Sequence, residues 1–117
     1  MFLSYFKIDL QTYVGDILIA VNPFKELPIY ASQISDKYVD ITNRSSLTPH
    51  IFGLTDHAYQ AMMRERRSQC CVISGESGAG KTETCKLVVQ HLLARAHSNE
   101  SLLNEKIEQV WFHQMEP

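Results

Sequence analysis

The sequence predicts an α/β fold with a mixed central sheet flanked by helices. Two apolar runs, residues 17–21 and 69–74, are short and contain β-branched residues, which is typical of strands. A glycine-rich turn follows the second run, and a pattern with helical spacing begins directly after it. Strand and helix patterns that alternate along one chain favour an α/β architecture. The 117 residues, of which 44% are hydrophobic and 21% charged, suit one domain or part of one.

The first strand run is predicted to belong to a hairpin. Gly15-Asp16 is a turn signal before it, and Asn22-Pro23 ends it. We expect this second strand of the hairpin to be buried, because it is apolar on both faces. Pro23 and Pro28 exclude a helix from residues 24–31. That segment is predicted to be an ordered loop at a strand end, where ligands commonly bind.

Two helices are predicted between the hairpin and the second strand. Ser32 is the predicted cap of a short helix that extends to about Val39. Thr48 is the predicted N-cap of a longer helix, with Pro49 at its first position and its end near Arg67. Apolar residues recur along this helix at spacings of three and four: Ile51, Leu54, Ala58 and Met62.

The second half of the chain predicts a strand followed by two helices. Residues 69–74 are apolar on both faces, as in a strand buried between layers. The next helix is predicted over residues 81–96, with Arg95 outside and an inner face of Cys85, Val88, Val89, Leu92 and Ala96. Ser98-Asn99 is the predicted cap of a last helix, whose apolar face is Leu103, Ile107 and Val110.

The glycine-rich turn is the strongest functional signal in the sequence. Its eight residues are Gly75, Glu76, Ser77, Gly78, Ala79, Gly80, Lys81 and Thr82. Backbone N–H groups at the start of a helix attract phosphate groups, and glycines let the backbone approach them closely. In this pattern Lys81 reaches the β- and γ-phosphates, and the Thr82 hydroxyl is a ligand of Mg²⁺. The sequence therefore predicts a site for a nucleoside triphosphate with Mg²⁺.

The residues around this turn resemble those of the myosin motor domain. The eight-residue turn follows Gln-Cys-Cys-Val-Ile-Ser, residues 16–30 resemble the purine-binding segment of that family, and residues 49–52 resemble the start of the helix before its phosphate loop. The segment is most similar in character to unconventional myosins, including class III. The resemblance implies an incomplete P-loop NTPase motor core that binds ATP and Mg²⁺. It also implies that one side of the ATP pocket, the adenine side, is lined by Asn22, Pro23, Lys25 and Tyr30. Tyr30 would lie beside the base.

The resemblance also divides the chain into three parts. These are a divergent N-terminal extension (residues 1–11), a partial motor domain (residues 12–110) and a divergent C-terminal tail (residues 111–117). We expect both ends to reflect truncation of a gene model or alternative splicing. The two switch segments and the actin-binding region of the family have no counterpart in the sequence, so the chain alone is not expected to be a competent ATPase. The implied setting is the cytoplasm and cytoskeleton, with the actin filament contacted by the missing parts of the motor.

Two other functions stay open at this stage. One is a small P-loop kinase or transferase that uses only this loop. The other is a non-catalytic splice product that binds nucleotide without turning it over. Sequence beyond Pro117 would distinguish both from the motor, because hydrolysis in this family needs the switch segments and only a motor would contain them there.

Composition argues against several other partners. The net charge of −2 gives no general attraction to nucleic acid. The apolar residues before Lys7 are too few for a membrane span, so no membrane insertion is expected. The three cysteines lack zinc or redox spacing and are expected to be reduced. Surface or capping positions, not a metal site, are expected for the five histidines: His50, His57, His91, His97 and His113.

Overall fold

The computed structural model describes residues 10–97 and 110–115 of the chain. Its helices and strands, in chain order, are β1 (Gln11–Val14), β2 (Ile17–Ala20), α1 (Ser32–Lys37), α2 (Ile51–Glu65), β3 (Gln69–Ser74), α3 (Lys81–His97) and β4 (Val110–Met115). Short 3-10 turns lie at Pro28–Tyr30 and Arg44–Ser46. Within the described residues this is an arrangement of helices with short sheets.

The strands pair in two separate sheets. β1 and β2 form the predicted antiparallel hairpin around Gly15-Asp16, and Gly15 takes a φ of +61° in the turn. β3 and β4 are parallel, with Gln69 opposite Val110 and Ser74 opposite Met115. The described strands therefore form one antiparallel pair and one parallel pair, and not a single mixed sheet.

Residues 98–109 of the predicted last helix lie outside the described residues. Val110, which was predicted on the apolar face of that helix, instead begins β4. That part of the prediction is wrong, because backbone pairing with β3 outweighs the helical spacing of a few apolar side chains.

The core lies where α2 packs against α3. Its buried apolar side chains are Tyr38, Ile51, Phe52, Tyr59, Met62, Val88 and Leu92. The predicted helix before β3 is confirmed, but it begins at Ile51 and its N-cap is His50, not Thr48. His50 Nδ1 accepts the Phe52 backbone N–H at 3.0 Å, which satisfies one of the donors that a helix start leaves without a partner.

Two more element boundaries differ from the predictions. The segment predicted as loop contains a 3-10 turn with Pro28 at its first position, where proline loses no hydrogen bond that the turn needs. α1 has Ala31 as its N-cap, so Ser32 is the first helical residue and not the cap. α3 is confirmed to within one residue of the predicted range.

The apolar strands are less buried than predicted. Ile17 in β2 is 66% exposed and Val72 in β3 is 58% exposed. In α3, Val89 was predicted to face inward but is also exposed. The reason is that only one face of β3 packs against helices among the described residues, and β2 has only β1 as its strand neighbour there.

Candidate functional site

The glycine-rich turn forms a tight loop between β3 and α3. Gly78 and Gly80 have φ values of +79° and +102°, a region that side-chain-bearing residues rarely adopt. Gly75 lies so close to Ala79 that a Cβ on Gly75 would stand 3.2 Å from the Ala79 Cβ. The loop conformation therefore favours glycine at Gly78 and Gly80, and a side chain at position 75 would require Ala79 to shift by a few tenths of an ångström.

Lys81 lies inside this loop. Its Nζ donates hydrogen bonds to the Gly75 carbonyl at 2.7 Å and the Glu76 carbonyl at 2.9 Å, and the residue as a whole is buried. These two contacts hold a cation against the concave side of the turn. A buried ammonium in this position favours an anion beside it, because opposite charges attract strongly where water is scarce.

The start of α3 adds further donors. Both the backbone N–H and the Oγ1 hydroxyl of Thr84 donate to the Gly80 carbonyl, at 2.9 and 3.0 Å. The first N–H groups of a helix have no acceptor within the helix, so at the start of α3 they are suited to bind a phosphate. Thr82 is exposed on the first turn, where its hydroxyl is accessible to a metal ion that accompanies the phosphates.

Asn22 connects the loop after β2 to the glycine-rich turn. Its Oδ1 accepts the Phe24 backbone N–H at 2.8 Å, which fixes the orientation of the amide. Its Nδ2 then donates to the Gly78 carbonyl at 3.2 Å. Two segments 56 residues apart in the sequence are thus joined directly.

A cleft of about 500 Å³ lies between these two segments. This volume is within the usual range of small-molecule sites. Its wall contains all four residues predicted for the adenine side, together with Ala79 and Gly80 of the turn: Asn22, Pro23, Lys25 and Tyr30. The other six residues of the turn, including Lys81 and Thr82, lie beyond this wall. The arrangement therefore places one mixed polar and apolar region beside a second region that has backbone N–H donors and the Lys81 ammonium.

Tyr30 is held firmly at one side of the cleft. Its hydroxyl oxygen accepts a hydrogen bond from Gln11 Nε2 at 2.9 Å. Its ring stands edge-on to His50, with the centroids 5.5 Å apart, and to Phe52, at 6.4 Å. Sequence reasoning identified Tyr30 but missed Gln11, because a polar residue in a strand gives no sign of its partner.

A buried polar cluster lies between α1, α2 and α3. His91 Nδ1 is 2.6 Å from Ser35 Oγ, and His91 Nε2 is 3.1 Å from Asp56 Oδ1. Arg95 reaches Asp56 with its Nε at 2.9 Å and Asp40 with its NH2 at 2.6 Å. The predicted surface or capping position of His91 and the predicted outward position of Arg95 are both wrong. His91 and Arg95 are four residues apart and lie on the same face of α3 as Val88 and Leu92. This spacing is the sequence signal for an inward position.

The cluster has the residue types of a hydrolytic triad but not its accessibility. Ser35, Asp56 and His91 are all buried, so no substrate reaches the serine oxygen. Burial alone would raise the pKa of Asp56, but hydrogen bonds from His91 and Gln60 and the charge of Arg95 outweigh it and hold that pKa below its ordinary value. Asp56 is therefore an ionised, fully paired structural group.

Residues 10–97 and 110–115 contain neither a metal-binding cluster nor a membrane-spanning helix. No group of three or more metal-ligating side chains converges among these residues. None of their helices combines the length and apolar character needed to cross a membrane.

Comparisons with known proteins agree on one family. The family model described as Myosin head (motor domain) matches residues 3–115. The chain is 52% identical over 101 residues to Myosin-IIIb of Mus musculus, 47% over 106 residues to Myosin-IIIa of Homo sapiens, and 44% over 100 residues to Myosin-I heavy chain of Dictyostelium discoideum. The matches cover 86%, 91% and 86% of this chain but 8%, 6% and 4% of those relatives. The chain thus spans less than a tenth of their length.

Proposed function

This chain belongs to the myosin head (motor domain) family, and we propose that it binds ATP with Mg²⁺ as part of an actin-based motor. The observation that carries the proposal is the link between Asn22 and Gly78, which brings the loop after β2 and the glycine-rich turn to one cleft. A nucleotide has a flat base and a charged phosphate chain, and this cleft has a separate region suited to each.

The residues divide between the two ends of the nucleotide. We assign the phosphates to the turn from Gly75 to Thr82, with Lys81 facing the β- and γ-phosphates. Bound Mg²⁺ would neutralise phosphate charge, and Thr82 is the residue of this chain that would hold it. The adenine side is assigned to the four cleft residues of the loop after β2: Asn22, Pro23, Lys25 and Tyr30.

The strand pairs fit the same proposal. We assign β1–β2 and β3–β4 to the mixed central sheet of a P-loop motor core, because both pairs leave apolar side chains exposed in the described residues. In that setting further strands would cover Ile17 and Val72. The motor containing this segment would act on actin in the cytoplasm, with the cytoskeleton as its track.

Binding and hydrolysis are separate steps in this proposal. The described residues supply phosphate donors and a cation, but hydrolysis also needs groups that orient the attacking water. Those groups would come from the switch segments of the complete motor. A small kinase or transferase is the alternative, and it would require an acceptor site next to the turn.

Replacement of Lys81 by alanine tests the phosphate assignment. The change removes a charge-assisted contact worth about 1.5–3 kcal/mol, so the dissociation constant of a fluorescent ATP analogue should rise about tenfold to a hundredfold. Lys86→Ala is the matched control, because Lys86 lies on the same helix but is exposed and pairs with Glu83. Equal affinity of wild type and Lys81→Ala, in variants with the same circular dichroism spectrum, would contradict the assignment.

A graft tests the motor assignment. Mouse Myosin-IIIb, with its matching 101 residues replaced by those of this chain, should show ATP turnover that actin accelerates. Turnover should be lost in the graft with Lys81→Ala and kept with Lys86→Ala. If the graft folds and binds actin but its turnover does not respond to actin, the motor assignment fails. Transfer of phosphate from ATP to a small acceptor by the chain alone would favour the kinase alternative.

A further inference from the structure

We propose that Gln11 is the positioning residue for the base side of the cleft, where it holds Tyr30 in place through a hydrogen bond whose direction the fold determines. The inference rests on the proposed function, because it concerns how the same cleft receives the nucleotide base. It assigns a role to a β1 residue that lies outside the cleft wall.

The orientation of the Gln11 amide follows from its partners. Gln11 is 5% exposed, and its Oε1 lies 2.7 Å from the Ile51 backbone nitrogen. A backbone N–H only donates, so the atom facing it must be the amide oxygen. The Nε2 group therefore faces Tyr30, and it is the donor in the 2.9 Å contact with the hydroxyl oxygen.

The direction of this bond leaves the Tyr30 hydroxyl with a defined role. Its oxygen is the acceptor for Gln11, so its own hydrogen must point away from Gln11. Tyr30 thus lines the cleft while its hydroxyl oxygen is held by Gln11.

The backbone that carries Tyr30 is anchored from the same side. His50 Nδ1 accepts from the Phe52 backbone, so in the neutral ring the proton is on Nε2, which donates to the Ile29 carbonyl at 2.8 Å. Burial, partly offset by that bond to Ile29, lowers the pKa of His50 and favours this neutral form. Gln11 therefore secures the side chain while His50 secures the adjacent backbone.

This anchoring acts on affinity through preorganisation. A tyrosine that rotates freely must be immobilised when the base binds, and immobilising a side chain weakens binding. Gln11 removes that penalty in advance, since Tyr30 already contacts His50 and Phe52 with its ring and Gln11 with its hydroxyl. Loss of Gln11 should consequently weaken ligands that have a base and leave ligands without one unaffected.

The experiment compares ATP with inorganic tripolyphosphate, which carries the phosphates but no base. Gln11→Met has a similar volume and cannot make either hydrogen bond. Its dissociation constant for ATP should rise about threefold to tenfold, and that for tripolyphosphate should stay within about twofold of wild type. Gln33→Met is the matched control, because Gln33 is exposed on α1, and it should bind both ligands like wild type.

Tyr30→Phe keeps the inference testable if Gln11→Met is poorly folded. It retains Gln11 and the Ile51 contact but loses the hydroxyl, and it should show the same selective loss of ATP affinity. In the double variant the two losses should not add, because both remove one interaction. Equal weakening of both ligands, unchanged ATP affinity in either single variant, or additive losses would each overturn the role of Gln11. Wild type that binds neither ligand would instead overturn the proposed function.

Discussion

Replacement of Asp56 by asparagine should strongly destabilise the packing of α2 against α3. Asp56 is bonded at both oxygens. His91 Nε2 donates to Oδ1 and Arg95 forms an ion pair with it, while the Asp40 backbone N–H and Gln60 Nε2 donate to Oδ2 at 3.0 and 2.7 Å. Asparagine has the same shape but turns one acceptor into a donor. Whichever way the amide is oriented, its NH2 group faces a group that donated to the carboxylate, and the buried one of the two carboxylates that balance Arg95 is lost.

The expected magnitude follows from burial. The Asp56 side chain is 2% exposed, and breaking a buried ion pair by removing one partner costs about 3–5 kcal/mol. Asp40 pairs with the same arginine, but its side chain is 70% exposed, so Asp40→Asn should cost about 0–1 kcal/mol. Asparagine is suited to this control because the backbone φ of Asp40 is +56°, which asparagine tolerates.

Urea unfolding followed by circular dichroism measures both variants. A loss of 3–5 kcal/mol should lower the urea midpoint by more than about 1 M in Asp56→Asn, with little change in Asp40→Asn. The stabilisation that Asp56 provides through its lowered pKa is present above about pH 4 and lost as the pH falls through its folded pKa. Asp56→Asn should lack this acid-dependent loss. Equal midpoints for the two variants at pH 7 would show that the buried Asp56 carboxylate adds no more stability than the exposed Asp40 carboxylate.

Two other variants give independent checks. His50 has a lowered folded pKa, so the unfolded state binds more protons below about pH 6.5 and stability should fall as the pH drops through this range. His50→Asn keeps an N-cap acceptor and should flatten that slope in urea titrations; an unchanged slope would exclude His50 as its source. Gly78→Ala meets no atom within 4 Å but forces alanine to a φ of +79°, so it should lower the unfolding free energy by about 1–2 kcal/mol. Equal stability would show that the turn relaxes.

The elements next to the turn could be predicted from sequence because their signals are local. The apolar run of β3, the three glycines and the helical spacing of α3 lie within 29 consecutive residues, 69–97. The confirmed hairpin is equally local, because its turn is Gly15-Asp16. The start of α2 was less predictable, because Thr48 and His50 are both able to cap a helix and only His50 does so here.

The buried polar cluster could not be predicted in the same way. His91 is buried because Asp56, 35 residues earlier in the chain, provides an acceptor. Arg95 is buried because the carboxylates of Asp40 and Asp56 balance its positive charge. A charged residue is buried only where partners offset its desolvation, and those partners come from other elements. The same holds for Gln11, whose two partners lie 19 and 40 residues away, and for β4, which pairs with β3 from a distant part of the chain.

Backbone hydrogen exchange with and without ATP and Mg²⁺ tests directly whether one nucleotide contacts both the loop after β2 and the glycine-rich turn. ATP should slow exchange in residues 22–30 and in residues 75–84 together, since one nucleotide contacts both segments. Tripolyphosphate should slow exchange mainly in residues 75–84. Exchange that slows in only one segment with ATP, or in neither, would contradict a single site that joins the base to the phosphates.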